Sequence, residues 1–191
     1  MRGALVRPTG LVYQPELVDQ AEERELLTVL RGLARHDIRA PGRWPHCTIR
    51  QYGSELEIDR AGDRGALLLT RSATLPSKLE WVRDRCASLL GVEPGALSQM
   101  LVTRYPPGAP IGWHREAPAA GPTVVGLSLA APCLLRFQRR VESHRLVYEL
   151  PLAPRSAYMI RGAARSSWQR RIPAVPDLRY SITFRMARLP A

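Results

Sequence analysis

The sequence predicts a mostly β fold of the α+β class, with two N-terminal helices packed against an antiparallel β sandwich. Three observations carry this. After Gly95, short strand-like runs recur at regular spacing between turns that contain Pro and Gly, as in a sandwich or barrel. Before it, two stretches repeat apolar residues at helical spacing. No internal repeat and no linker interrupts the chain, so residues 1–191 are expected to form one domain, 1–95 as support and 96–191 as the β core.

The elements follow in order. Leu11 to Tyr13 alternates apolar and polar residues and reads as a strand that Pro15 ends. Asp19 with Glu22 resembles a capping box. Ala21, Leu26, Leu27, Leu30 and Leu33 then define a helix over about 20–34. Thr48 to Gly53 reads as a strand, and the rest of the Arg-, Gly- and Pro-rich stretch 39–75 reads as loop. Pro76 opens a second helix that Gly91 closes, with Leu79, Val82, Cys86, Leu89 and Leu90 on its apolar face. Six strands are expected beyond it: 99–105, 123–129, 133–138, 146–150, 157–161 and 180–186.

Hydrophobic residues make up 45% and charged residues 24%, the balance of a soluble globular domain. No run approaches the roughly 18 apolar residues of a membrane helix. Met1 to Val6 has no secretory pattern, so a cytoplasmic monomer is the expectation. The formal net charge is +11, and Lys78 is the sole lysine among 28 basic residues. Genome composition accounts for the arginine-to-lysine ratio. It leaves the charge excess, which favours a polyanionic partner such as single-stranded or alkylated DNA or RNA. Cys47, Cys86 and Cys133 lie far apart, suggesting buried free thiols rather than a disulfide framework or a zinc site.

Two stretches carry the chemistry. The first runs from Tyr105 to Glu116 and contains Gly112-Trp113-His114-Arg115-Glu116. Residues i and i+2 of an extended chain share a face, so His114 and Glu116 would point the same way. With one distant histidine they would complete the facial triad of a non-heme iron oxygenase. Alone, His-x-Glu is a weak signal, and a histidine in such a setting is more often structural or exposed. The second stretch is Arg179-Tyr180-Ser181-Ile182-Thr183-Phe184-Arg185. Its strict alternation puts Arg179, Ser181, Thr183 and Arg185 on one face. Two arginines there could grip a dicarboxylate, but the pattern alone favours the exposed face of a C-terminal strand.

Together the stretches resemble the AlkB family of iron(II)- and 2-oxoglutarate-dependent dioxygenases. Leu11 to Pro15 resembles the family's opening, and Tyr52-Gly53 the edge of its nucleotide-recognition lid. Arg104 to Gly108 before Ile111 to His114, then Gly126 to Leu129, follow in family order. So do Arg161-Gly162, Ala164-Arg165 and Trp168, and the closing Arg179 to Arg185. The resemblance implies a double-stranded β-helix, or jelly roll, with the lid within residues 1–95. It implies that His114 and Glu116 are metal ligands. Arg179, Arg185, Tyr105, Thr103 and Ser181 would bind the co-substrate, with Tyr52 and Trp113 toward the substrate. The implied reaction is oxidative dealkylation of N-alkylated bases flipped into the pocket, with arginines of 39–71 on the phosphates.

Three positions depart from the family pattern. Glu116 replaces an aspartate, and its extra methylene pushes the carboxylate outward. Thr103 replaces an asparagine. Two residues after Trp168, where the family carries its distal histidine, stands Arg170. A guanidinium has no lone pair for a metal and repels a dication. His144 lies in the polar turn 141–145, and His36 and His46 precede the strand core, so no other histidine substitutes. Arg170 is therefore expected to pair with Glu116, standing in for the cation. Three functions follow: a dioxygenase with an unusual metal shell, an inactive relative that binds nucleic acid or an acidic small molecule, or a relative with altered substrate. The chemistry of Arg170 favours the second, with weak or no stoichiometric iron(II) binding.

Overall fold

A computed structural model describes residues 6–33, 38–39, 46–58, 67–71 and 73–186. Two antiparallel sheets lie face to face. The larger has strand order β1-β10-β7-β12-β5-β3-β2, with β4 paired to β3, and the smaller has order β6-β11-β8-β9. The large sheet comprises β1 (Leu11–Gln14), β2 (Ile38–Arg39), β3 (Thr48–Ile58), β4 (Leu67–Arg71), β5 (Gln99–Tyr105), β7 (Thr123–Leu129), β10 (Ala157–Arg161) and β12 (Arg179–Arg185). The small sheet comprises β6 (Ile111–His114), β8 (Cys133–Val141), β9 (His144–Leu152) and β11 (Gln169–Ile172).

The large sheet buries both faces because its central strands alternate. Toward the outside, Met100, Val102, Val125, Leu127, Leu129, Tyr180, Ile182 and Phe184 pack beneath helices α1 (Gln20–Leu33) and α2 (Glu80–Leu90). Leu26, Leu30, Leu79, Val82 and Cys86 supply the helix side of that core. Toward the small sheet lies a second core containing Tyr105, Val124, Leu135, Phe137, Leu150, Ile160 and Ile172. All three cysteines are buried free thiols.

The start of α1 and the end of α2 are capped as the sequence anticipates. Asp19 N–H donates to Glu22 Oε2 and Glu22 N–H to Asp19 Oδ1, each at 2.8 Å, the reciprocal capping box. Gly91 closes α2 in the left-handed region at φ 67°, and Val92 N–H reaches back to Ala87 O at 3.1 Å. Glu22 also takes a forked pair from Arg85 at 2.7 and 2.8 Å, tying the two helices together.

Several expectations need correction. The stretch 54–75 is not all loop: β3 runs on to Ile58, and β4 pairs with it. Gly53 permits this at φ 79°, where a Cβ would lie 2.1 Å from Ser98 O. Strand β11 and the short helix α3 (Gly162–Ser166) fall where no element was expected. Residues 77–79 form a 3-10 turn before α2 begins at Glu80.

Candidate functional site

Between the sheets, the centre of the large sheet presents polar side chains where a sandwich core would be apolar. Strand β12 contributes Arg179, Ser181, Thr183 and Arg185, as alternation predicts, and β5 contributes Leu101, Thr103 and Tyr105. The small sheet contributes Ile111 and His114 from β6, Leu135 from β8, and Arg170 and Ile172 from β11, and Tyr158 of β10 adds its ring. Glu116 follows β6 and lines the same pocket.

At one end, β6 and β11 pair so that Arg170 lies directly across from His114. Both are buried, and His114 Nδ1 lies 2.9 Å from Gly112 O. Arg170 Nη2 donates to Glu116 Oε1, and Arg185 Nη2 lies 2.9 Å from Glu116 Oε2. The Glu116 side chain is 6% exposed, so two guanidiniums clamp a buried carboxylate. Burial pushes the Glu116 pKa up, but Arg185 and Arg170 outweigh it and hold it at about 2. Burial and then Arg170 push His114 down to about 4, so the imidazole is neutral at pH 7. Arg185 also donates from Nη1 to Gln99 Oε1 at 3.0 Å, and Gln99 Nε2 donates to Gln51 Oε1 at 3.2 Å.

At the other end, Arg179 is 1% exposed. Its guanidinium carbon lies 4.7 Å from the centroid of the Tyr105 ring. Nε and Nη2 both donate to Ser128 Oγ at 3.2 Å, while Nη1 is buried with no partner. The Tyr105 hydroxyl lies 3.0 Å from Ser181 Oγ, and Thr103 sits opposite Ser181 across β5 and β12. Nearby thiols do not supply a counter-charge. Burial pushes Cys47 up to about 11 against the pull of Arg179, and burial likewise raises Cys133.

The structure thus brings together His114, Glu116, Arg170, Arg179, Arg185, Tyr105, Thr103 and Ser181. It leaves out two expected residues. Tyr52 lies opposite Met100 and is 2% exposed, in the core beneath the helices rather than at a lid. Trp113 immediately precedes His114, so the pleat turns it to the outer face of the small sheet. There the Arg171 guanidinium covers its ring at 5.0 Å. His144 and His46 are exposed, and His36, Arg43, Arg60 and Arg64 lie outside the described residues. Arg50 donates to Leu33 O at 3.0 Å and flanks the Tyr52 ring, a structural post. Gln99 and Tyr158 were not anticipated. A polar Gln99 on the inward face of β5 is the one signal that could have found them; Tyr158 comes into place only by crossing Gly126 of β7, where a Cβ would lie 2.6 Å from its ring.

The residues do not suit iron. Two of the expected ligand types are present, but the third position carries a guanidinium already closed onto Glu116. Among the described residues, no three His, Cys, Asp or Glu side chains converge. A dication placed there would face Arg170 and Arg185 at close range and compete with both for one carboxylate. The Arg179 end suits an acidic ligand, because a buried charged donor without a partner is costly unless something fills it.

A family model described as the 2OG-Fe(II) oxygenase superfamily matches residues 10–185. A protein named alkylated DNA repair protein ALKBH8 homolog, from Arabidopsis thaliana, is 29% identical over 184 residues, covering 86% of this chain and 51% of its own. The chain therefore spans about half the length of that curated relative. The solved structure of OsALKBH1 superposes with a TM-score of 0.68 at 13% identity, covering 94% of this chain and 99% of that one. A Pseudomonas putida prolyl-4-hydroxylase superposes at 0.61 and 12% identity, covering 92% of each. These likenesses support the fold, a double-stranded β-helix.

Proposed function

The chain belongs to the 2OG-Fe(II) oxygenase superfamily, on its AlkB-like side, and we propose that it has exchanged metal-dependent oxygenation for metal-free binding of an acidic small molecule. One observation carries the reading: Arg170 stands in register with His114, where the distal ligand is expected, and closes onto Glu116. Glu116 is then unavailable to a metal, since its other oxygen is held by Arg185. Breaking such a buried pair leaves uncompensated charge, which opposes metal entry.

Anaerobic iron(II) titration with metal analysis, alongside succinate release from 2-oxoglutarate, tests this. The expected outcome is far less than one equivalent of iron and no succinate. One equivalent of iron with turnover supports instead the dealkylating dioxygenase that the family resemblance implies. The double substitution Arg170→His, Glu116→Asp is expected to restore iron binding while leaving the fold intact.

Nucleic acid is a second reading, favoured by the +11 charge and by one surface feature. Arg140 and Arg145 face each other, exposed, across the β8–β9 hairpin. Like charges directly opposite destabilise a sheet, which points to a role outside folding. The name of the Arabidopsis relative refers to repair of alkylated DNA. Binding of a methylated single-stranded oligonucleotide that weakens steeply with salt would support this role, and absence of binding at low salt would end it.

A further inference from the structure

We infer that strand β9 pairs edge to edge with β9 of a second copy of this chain, joining two small sheets into one. This replaces the monomer expected from the sequence. No β9 residue lines the pocket, so the inference stands whether or not the pocket holds a metal. β9 ends the small sheet, and among the described residues no strand pairs with its open side. It runs nine residues, His144–Leu152, where a strand usually has about five or six. A long open edge is a template for another strand.

The hairpin fixes which backbone groups face that open side. β8 and β9 are joined by the two-residue turn Glu142-Ser143, and Val141 pairs with His144 across it. A pair that closes such a turn exchanges hydrogen bonds, and bonded and non-bonded pairs then alternate along the ladder. His144, Leu146, Tyr148, Leu150 and Leu152 therefore bond to β8. The N–H and C=O groups of Arg145, Val147 and Glu149 point to the open side. Pro151 falls in the same series, where its missing N–H costs no ladder bond. Among the described residues, no backbone bond from a turn or loop reaches Arg145, Val147 or Glu149.

Side-chain charge then selects the register. Leu146, Tyr148, Leu150 and Leu152 face the core, so the pleat turns Arg145, Val147 and Glu149 to the outer face. Arg145 and Glu149 are exposed there. A two-fold axis through Val147 sets Arg145 of each copy opposite Glu149 of the other. It also brings the open backbone groups at 145, 147 and 149 face to face. Centring the axis on Arg145 or on Glu149 sets like charges opposite each other, which destabilises a sheet. On the inner face Leu146 meets Tyr148 of the second copy, and both are half-buried in the single chain. Arg145 gains a counter-charge that its own sheet withholds, since there it faces Arg140. Glu149 keeps its contact with Arg136 Nε at 2.6 Å. Charges that only blunt an edge repel a second copy, whereas this pattern is self-complementary.

Sedimentation velocity of the full chain tests the inference, over about 1–200 µM protein at about 0.15 M salt, which screens the net positive charge. The expected result is a monomer–dimer equilibrium, since a short ladder makes a weak interface. Val147→Pro removes the central N–H on the open side, which the chain's own fold does not use. That variant should stay folded by circular dichroism and monomeric throughout. Arg145→Glu and Glu149→Arg each set like charges opposite one another and should weaken the homodimer at least roughly tenfold. Mixing these two variants in equal amounts restores both opposite-charge pairs, so a heterodimer should form. Should one arm fail to fold, the other decides. A monomer at every concentration, a dimer that survives Val147→Pro, or a mixture no more dimeric than its components would each overturn the inference.

Discussion

Strand β12 shows the same seven residues serving two purposes on two faces. Tyr180, Ile182 and Phe184 enter the core beneath α1 and α2. Arg179, Ser181, Thr183 and Arg185 enter the pocket. The outer face is filled with apolar contacts and holds the helices to the sheet. The inner face places two guanidiniums between sheets, where a Val or Leu would contribute more to stability. A fold spends a central strand this way where the inner face has a ligand to meet. Stability and function are thus divided between alternate residues of one strand, and substitutions should divide in the same way.

The largest expected effect lies on the helix face. Phe184→Ala should lower the unfolding free energy by about 3–5 kcal/mol in urea titration, because Phe184 is fully buried and its cavity is enclosed. Thr183→Ala, one residue away on the pocket face, should cost less than about 1 kcal/mol. Similar costs for both would break the division.

Next comes Glu116→Gln, which leaves Arg170 and Arg185 facing each other with no counter-ion and should cost about 3 kcal/mol or more. Arg170→Met removes one of the excess cations while Arg185 still meets Glu116, so it should cost clearly less. Chemical denaturation of the two variants checks the order. A more damaging Arg170→Met would mean that the pocket has no charge excess.

The pH profile sharpens the same contrast. In the metal-free protein His114 sits at about 4 against an ordinary 6.5, so the unfolded chain binds more protons between these values. Its contribution is fully present above about 6.5 and is lost as pH falls through 4, amounting to at most about 3 kcal/mol. Glu116 extends the loss from about 4.5 toward 2. Unfolding free energies at pH 7 and pH 4.5 should differ in the unaltered protein and differ less in His114→Gln. An equal difference would place the titration elsewhere. A small effect is expected at the surface: Asp19→Ala removes the cap of α1 and should cost about 1 kcal/mol without altering ligand binding.

Much of this was legible because it is periodic. The β12 alternation, the helix start at Asp19 and stop at Gly91, and the strand at 99–105 are local patterns, and local patterns survive in a one-dimensional reading. Strand β11 was not legible. Gln169-Arg170-Arg171-Ile172 is short and polar, and it becomes a strand because β6 and β8 flank it. Strand β4 is an apolar run, and it escaped notice because the arginines and glycines of the stretch around it read as loop. Tyr52 and Trp113 were placed by family resemblance, and the pleat of their own strands sends them elsewhere.

By itself, the sequence determined which chemical groups were available: a histidine, a glutamate and an arginine in a three-ligand pattern, and two arginines on one strand face. Those identities alone disfavour a metal, since no folding gives a guanidinium a lone pair. Tertiary structure decided the rest. It closed Arg170 onto Glu116, brought Arg185 to the second carboxylate oxygen, and left one nitrogen each of Arg170, Arg179 and Arg185 buried without a partner. The physical reason is that charge balance belongs to a volume, and strand pairing alone determines which side chains share it.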